Sequence, residues 1–384
     1  MKIVLMVLIF INFIYANDFS KEFEEFALQN QNEFEFFESN VNQEYEKFQK
    51  AQNEAYQEFS NEIFQKWPDK NPKLSTNFKW VEYSEDLGSR KSVDFENGNI
   101  EVEVIAKDEK TAKEKLTKLF KETLNQDVKT AYKNDILQQK IIKKLGKKSK
   151  PIEVKQKIVA DVITNKEKEE LLKKVQKQKM TKIKHKDFLV YKVKVKLPPK
   201  SMIRKAKALK KEVLHHASKQ DIPAPLIYAI IHSESAFNPM AKSHVPAYGL
   251  MQIVPKTAGI DSYKFLYGKK KLLSARYLYS PTKNIMIGSA YLHILFYKYL
   301  KKIENPLSRL YCTIAAYNTG SGNVARAFTG RTNVTLASYK INGLTPQKVY
   351  QTLIQKLPYD ETKHYLKKVR TRVKSYEVLL NTTL

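Results

Sequence analysis

The sequence predicts an α+β protein in three parts: a long N-terminal helix, a small α+β domain and a larger all-α domain. Three observations carry this expectation. Aromatic residues recur every eleven positions across residues 17–66. Two runs that alternate apolar and charged residues occur within 67–200, among lysine-rich helical stretches. From 201 to 384 the apolar spacing is helical throughout, with glycine and proline confined to short connections. A chain of 384 residues has room for two or three domains. Its hydrophobic content of 42% excludes a mainly disordered polymer. The single cysteine, Cys312, excludes an intramolecular disulfide framework and a multi-cysteine metal site. Its place in the run Leu310 to Ala316 reads as a small buried hydrophobe.

A formal charge of +28 admits nucleic acid, an anionic membrane surface or an acidic polymer as partner. The first sixteen residues discriminate among these. After Lys2, residues Ile3 to Tyr15 are apolar except for Asn12. That run is too short to cross a hydrocarbon core of about 30 Å. It suits a signal peptide ending at Ile14-Tyr15-Ala16, with export to the periplasm. An uncleaved membrane anchor is the alternative. No cysteine stands near the cleavage site to carry a lipid. Export argues against a nucleic-acid partner.

Residues 17–66 carry a net charge of −8. Phe23, Phe34, Tyr45 and Tyr56 are spaced by eleven, and so are Phe26, Phe37, Phe48 and Phe59. Eleven residues over three turns is close to the α-helical period, so these rings form one stripe. Such a helix either lies on the rest of the protein or serves self-association or partner docking. Trp67-Pro68 and Asn71-Pro72 end it.

Residues 67–200 carry +14. Val93 to Glu96, Asn97-Gly98 and Asn99 to Ile105 read as a hairpin with a two-residue turn. Ile100, Val102 and Val104 alternate with Glu101 and Glu103. Tyr191, Val193, Val195 and Leu197 alternate with Lys192, Lys194 and Lys196. The two runs are expected to share a sheet, as neighbours with their charged faces on one side, where opposite charges favour pairing. Thr111 to Leu145 and Lys166 to Lys177 read as lysine-rich helices.

Residues 201–384 carry +21. Pro225 is suited to the first helical position. Ile227, Ile230 and Ile231 then mark an apolar face whose next position is Glu234. A carboxylate on such a face is expensive unless paired or protonated. Burial would raise its pKa, which is the tuning a general acid needs. The alternative is that the helix ends early and Glu234 is a solvated surface group.

The surrounding text decides between these. Glu234-Ser235-Ala236-Phe237-Asn238-Pro239 is followed by Tyr248-Gly249-Leu250-Met251-Gln252-Ile253-Val254-Pro255, then Ala315-Ala316-Tyr317-Asn318-Thr319-Gly320-Ser321-Gly322, then Glu361-Thr362-Lys363-His364-Tyr365. Together these resemble the four signature blocks of the soluble lytic transglycosylase family, in order and spacing, over about residues 206–379. Glu304-Asn305-Pro306 and the stretch Thr345-Pro346 to Leu353 resemble its membrane-bound branch, which places an α+β domain before the catalytic one.

The resemblance implies a lysozyme-like fold of the goose type for the all-α domain. It implies cleavage of peptidoglycan glycan strands between N-acetylmuramic acid and N-acetylglucosamine, without water, to 1,6-anhydro ends. Glu234 would act as acid and then base, assisted by the substrate acetamido group, and Tyr317 would orient it. Gln252, Ser243, Met251, Val254, Asn318 and Tyr365 would bind substrate or complete the cleft. Ser235 and Gly249 would be structural, as would Glu361. No cofactor is implied. His232 and His244 have no metal-ligand spacing, so no metal is expected. At 242–248 the chain reads Lys-Ser-His-Val-Pro-Ala-Tyr, where the family more often has small residues.

Three other readings stand beside this one: a hydrolytic muramidase on the same fold, an inactive wall-binding scaffold, and an exported nucleic-acid binder supported by charge alone. The basic domain also suits attraction to peptidoglycan carboxylates and an anionic envelope surface, screened by salt.

Overall fold

A computed structural model describes residues 39–69, 71–154, 156–159 and 163–381. The expected signal peptide, and residues 17–38 of the aromatic-repeat helix, lie outside the described residues. Those described fall into two units divided after Glu54. A helix, α1, covers residues 39–66, so its last three turns belong to the larger unit. There Ala55, Phe59, Ile63 and Trp67 recur every four residues and are buried, one face of an α-helix. Phe59 and Trp67 both meet the ring of Tyr83 edge-on, at 5.6 and 5.9 Å between centroids. The Trp67 indole donates to the Leu87 carbonyl at 3.0 Å.

Among the described residues five strands lie between Lys79 and Lys196: β1 (Lys79–Tyr83), β2 (Ser89–Asp94), β3 (Asn99–Ile105), β4 (Thr181–His185) and β5 (Phe188–Lys196). They form one antiparallel sheet in the order β1-β2-β3-β5-β4. The two alternating runs are neighbours, with Glu101 opposite Lys194 and Glu103 opposite Lys192. The carboxylates, however, bond elsewhere. Arg90 grips Glu103 with two hydrogen bonds of 2.6 and 2.8 Å. Lys73 reaches Glu101 and Glu103 at 3.0 Å each. Arg90 also pairs with Asp69 at 2.5 Å and lies 4.0 Å from the Trp67 ring centre. This network fastens the strap after α1 across the sheet. Buried pairs gain little against apolar packing, but they fix register.

Three local expectations need correction. The β2–β3 connection is a four-residue turn, Phe95 to Gly98, rather than a two-residue one. It is closed by the Asp94–Asn99 pair, with the Asp94 carboxylate accepting from the Asn97 N–H at 2.8 Å; a short carboxylate that captures a nearby backbone N–H favours a turn over a longer strand. The lysine-rich run 111–145 is three helices: α2 (Glu109–Asn125), α3 (Val128–Asn134) and α4 (Ile136–Lys144). Asp127 and Asp135 accept the N–H groups of Thr130 and Gln138, starting a helix each time. Helix α5 (Asn165–Lys177) opens with a reciprocal Thr164–Glu167 cap and begins one residue before the expected Lys166. The α2 residues Leu116, Phe120 and Leu124 supply a buried apolar face alongside the sheet.

From Ser201 onward the chain is helical: α6 (Ser201–Ala208), α7 (Lys210–Gln220), α8 (Ala224–Ser235), α9 (Ile260–Tyr267), α10 (Ala275–Leu278), α11 (Pro281–His293), α12 (Pro306–Thr319), α13 (Ser321–Thr329), α14 (Val334–Asn342), α15 (Pro346–Lys356) and α16 (Asp360–Asn381). Every residue from Leu226 to Ile231 is buried, so α8 is the central helix, apolar on all sides. Pro225 stands in its first turn, one place later than expected, behind an N-cap at Pro223. The long α16 packs along α8. Tyr376 stacks on Tyr228 at 5.2 Å and bonds His232 Nδ1 at 3.0 Å, and Arg372 donates to Ser233 Oγ at 3.0 Å. Cys312 is fully buried in α12.

Specific polar contacts join the sheet region to the helices. Buried Asn238 donates to the Asn77 carbonyl at 3.2 Å. Lys242 pairs with Asp135 at 2.7 Å and Lys368 with Glu96 at 3.3 Å. Lys205 of α6 is buried with its ammonium 3.5 Å from the centre of the Phe95 ring. Burial depresses its pKa well below the usual lysine range.

Candidate active site

The site is built where α8 ends. Glu234 is its penultimate residue, and the chain reverses at once through Ala236 (φ 47°) and Phe237 (φ 65°). Both are non-glycine residues in the left-handed region, a conformation that costs energy and persists only when neighbours enforce it. The neighbour is the turn 248–253, closed by paired Tyr248–Ile253 backbone bonds of 3.1 Å. Ser235 ties the two together, donating to the Ile231 and Leu250 carbonyls at 3.0 and 2.8 Å.

Gly249 has φ 75°. A Cβ there would stand 2.3 Å from Asn284 Nδ2 and 2.4 Å from the Leu278 carbonyl oxygen. Only glycine satisfies both conditions. Asn284 is fully buried in α11 and makes three bonds. It accepts from the Met251 N–H at 2.8 Å and donates to Tyr248 and Leu278 carbonyls at 2.8 and 2.9 Å. Sequence reasoning missed this residue. Its one signal is an amide side chain on an otherwise apolar helical stretch, Ile285, Ile287 and Gly288 following it.

Glu234 keeps some exposed surface as a residue, but its carboxyl is set deep. Burial pushes its pKa up to about 7. The phenol of Tyr365 and the ammonium of Lys368 oppose that shift, while the negative charge of Glu361 adds to it. The buried Tyr365 hydroxyl has no hydrogen-bond partner within normal distance among the described residues. The Tyr317 hydroxyl donates to the Met251 carbonyl at 2.8 Å. Its pKa is raised by burial first and by the charge of Glu234 second. Tyr317 therefore lies in the field of Glu234, but its proton is committed to the backbone. Tyr365 also acts on Glu234, lowering its pKa.

Stretches of the chain match known proteins. Residues 213–338 match the family described as Transglycosylase SLT domain. Residues 42–207 match the family described as Membrane-bound lytic murein transglycosylase C, N-terminal domain. The membrane-bound lytic murein transglycosylase C of Salmonella paratyphi B (strain ATCC BAA-1250 / SPB7) is 33% identical over 328 residues, 83% of this chain and 87% of that protein. The chain belongs to the membrane-bound lytic murein transglycosylase C family. The Serratia proteamaculans (strain 568) relative is 43% identical over 188 residues, 49% of this chain. That match spans about half of the Serratia protein, 52%. An inactive mutant of the lytic transglycosylase Slt from Pseudomonas aeruginosa is 28% identical, with a TM-score of 0.37, covering 47% of this chain and 25% of that one.

Other residues named from the transglycosylase motifs fall into two groups. Gln252 is at the site, at φ 47°, with its amide donating to the Gly249 carbonyl at 3.0 Å. Its buried Oε1 has no partner among the described residues, an acceptor suited to a ligand donor. Val254 is half-buried, and so is Asn318, which accepts from Thr362 Oγ1 at 2.6 Å. Met251 is a correction. It is fully buried and packs against Gly288, so it supports the site through its backbone instead of lining a groove. Its unbranched thioether fills the space over a glycine. Ser243 is half-buried. Its hydroxyl is occupied within its own loop, bonding the Val245 carbonyl and the Ala247 N–H, because serine readily bonds backbone close in sequence. Among the described residues no group of three or more His, Cys, Asp or Glu side chains is placed to hold a metal ion.

Proposed function

We propose that this chain is a lytic transglycosylase that cleaves the MurNAc-β-1,4-GlcNAc bond of peptidoglycan without water. The observation that carries this is the raised pKa of Glu234, about 7, at the end of a buried helix within the family's motif. A carboxyl with that pKa is half protonated near neutrality, so it serves as both acid and base. Protonated Glu234 donates to the glycosidic oxygen and the C1–O bond breaks. The carbonyl oxygen of the MurNAc 2-acetamido group bonds C1 to give an oxazolinium-like intermediate. Glu234, now a carboxylate, takes the proton of the C6 hydroxyl. O6 displaces the acetamido oxygen at C1 and closes the 1,6-anhydro ring.

Most glycosidases use two carboxylates. Here the second carboxyl acting on Glu234 is Glu361, which is exposed. One shielded acid suits assistance by the substrate. Gln252 Oε1 and Tyr365 are the groups left to meet the sugar or orient the acid. A periplasmic location, reached by export, follows from the reading of residues 1–16. The relatives are named as membrane-bound, and among the described residues no helix is long and apolar enough to cross a membrane.

Mass spectrometry of products from purified cell wall tests the reaction. Anhydro ends one water lighter than reducing ends are expected, and predominantly reducing ends would refute it. The acid also predicts a pH dependence. Activity should decline as pH rises through about 7, when the proton donor is lost. Lys368→Gln removes a charge that lowers the pKa of Glu234, so the declining limb should move to higher pH. Glu361→Gln should move it lower. A pH–rate profile in which both variants shift the same way contradicts the assignment.

A further inference from the structure

The reaction above uses nothing from a cavity in the sheet region. It measures about 1070 Å³, at the upper end of the ~300–1,000 Å³ typical of small-molecule sites. At the β1–β2 edge Glu82 and Lys91 stand opposite each other and pair at 2.9 Å. Both are buried, at 6% exposure. Lys91 also donates to Gln126 Oε1 at 2.8 Å, and Asn134 donates to Glu82 at 3.1 Å. Further along the same register stand Val102 and Val193, both buried and apolar. Buried ion pairs roughly break even against such packing. The pair fixes the β1–β2 register, and it also gives the cavity a charged floor, where a few convergent polar groups are what a binding site needs.

The lining contains five carboxylates and five lysines. Exposed Lys133 and Lys143 come from α3 and α4, and exposed Glu85 and Glu122 from the turn after β1 and from α2. None of these four pairs with another group among the described residues. So many carboxylates would repel a phosphate polymer. The one aromatic lining residue, Tyr83, is buried at 5% exposure and offers no platform for a sugar ring. The chemistry that remains is a short peptide carrying both charges. We propose that this cavity binds the peptide stems of peptidoglycan. The lysines of α3 and α4 receive stem carboxylates, and Glu85 or Glu122 receives the side-chain amine of the stem's diamino acid. The proposal rests on peptidoglycan being the substrate. Holding a stem in one site and a glycan in another would raise the local concentration of the wall without new contacts at the acid.

The test is calorimetric titration of the full chain with free tetrapeptide stem, released from cell wall by an amidase and lacking sugar. Saturable binding is expected. It should weaken by about tenfold in the Lys133→Glu/Lys143→Glu double variant and be unchanged in Glu234→Gln. The two lysines are exposed, so an unchanged melting temperature checks the fold of the double variant. Absence of saturable binding, or binding the double variant leaves unchanged, overturns the assignment. The probe has no glycosidic bond, so its outcome is separate from the product analysis. Hydrolytic products would remove the transglycosylase reading alone, and a failed titration would remove the cavity assignment alone.

Discussion

Glu234→Gln should lower formation of anhydro ends by roughly 10²–10⁴-fold, the range carried by one general acid–base group, while binding of glycan strands persists. The glutamine keeps the shape of the carboxyl but neither donates a proton to the leaving oxygen nor takes one from the C6 hydroxyl. Product mass spectrometry on wild type and variant in parallel reads this directly, and a fully active variant removes the assignment. A second readout separates catalysis from structural damage. The folded protein keeps the Glu234 proton up to about pH 7, whereas the usual carboxyl value is 4.5. Between those values the folded state binds more protons than the unfolded one, so this residue's contribution to stability falls as pH rises. Above pH 7 the cost reaches up to about 3 kcal/mol, taking 1.36 kcal/mol per pKa unit. Glutamine removes that cost. The inactive variant should therefore melt above wild type at about pH 8, with the gap closing toward pH 4.5. A variant that loses activity and also melts lower at pH 8 would point to damaged packing instead.

Gly249→Ala should be the most damaging single methyl in the turn region. It would place Cβ 2.3 Å from Asn284 Nδ2 and 2.4 Å from the Leu278 carbonyl, at φ 75°. Neither neighbour has freedom to retreat, because Asn284 is fixed by three bonds and Leu278 is itself buried. Strain and overpacking together should cost on the order of 3–5 kcal/mol. Thermal melting should show a loss on the order of 10 °C. Activity should fall in the fraction that remains folded, since the same turn sets the Met251 carbonyl under Tyr317 and the backbone of Gln252. Gly343→Ala is the control. Its φ is −81° and the nearest atom to a new Cβ is 3.7 Å away, so melting should be nearly unchanged. Equal melting for the two variants would show that the 248–253 turn tolerates what its geometry forbids.

Much of this protein is legible in its sequence because the signals are local. Alternation of valine and lysine along one strand reports a half-buried sheet whatever else surrounds it. The apolar spacing ahead of Glu234 places a carboxyl on a buried helix face, and the motif blocks place it in a family. The register of β3 against β5 is also set by this patterning, since a one-residue slip would turn the valines outward. Strands β1 and β4 carry weaker patterns, KWVEY and TKIKH, and are strands only because a sheet edge is there to pair with.

The tertiary structure decided the rest, for a common physical reason: a side chain's partner is set by which atoms converge, and sequence spacing does not record convergence across elements. Tyr317 was read as the residue that orients Glu234. Its hydroxyl goes to the Met251 carbonyl, and Tyr365, forty-eight positions further on, is a second phenol that acts on the acid's pKa. Glu101 and Glu103 were read as partners of the β5 lysines. Arg90 and Lys73 take them, because a strap crossing the sheet brings cations over that face. The sequence by itself determined the family, the helix carrying Glu234 and the pairing of the central strands. Burial as the cause of the acid's raised pKa was already legible from the apolar face, and only the folded chain decided which neighbours, Tyr365, Glu361 and Lys368, act on that carboxyl, because convergence is a property of the whole packing.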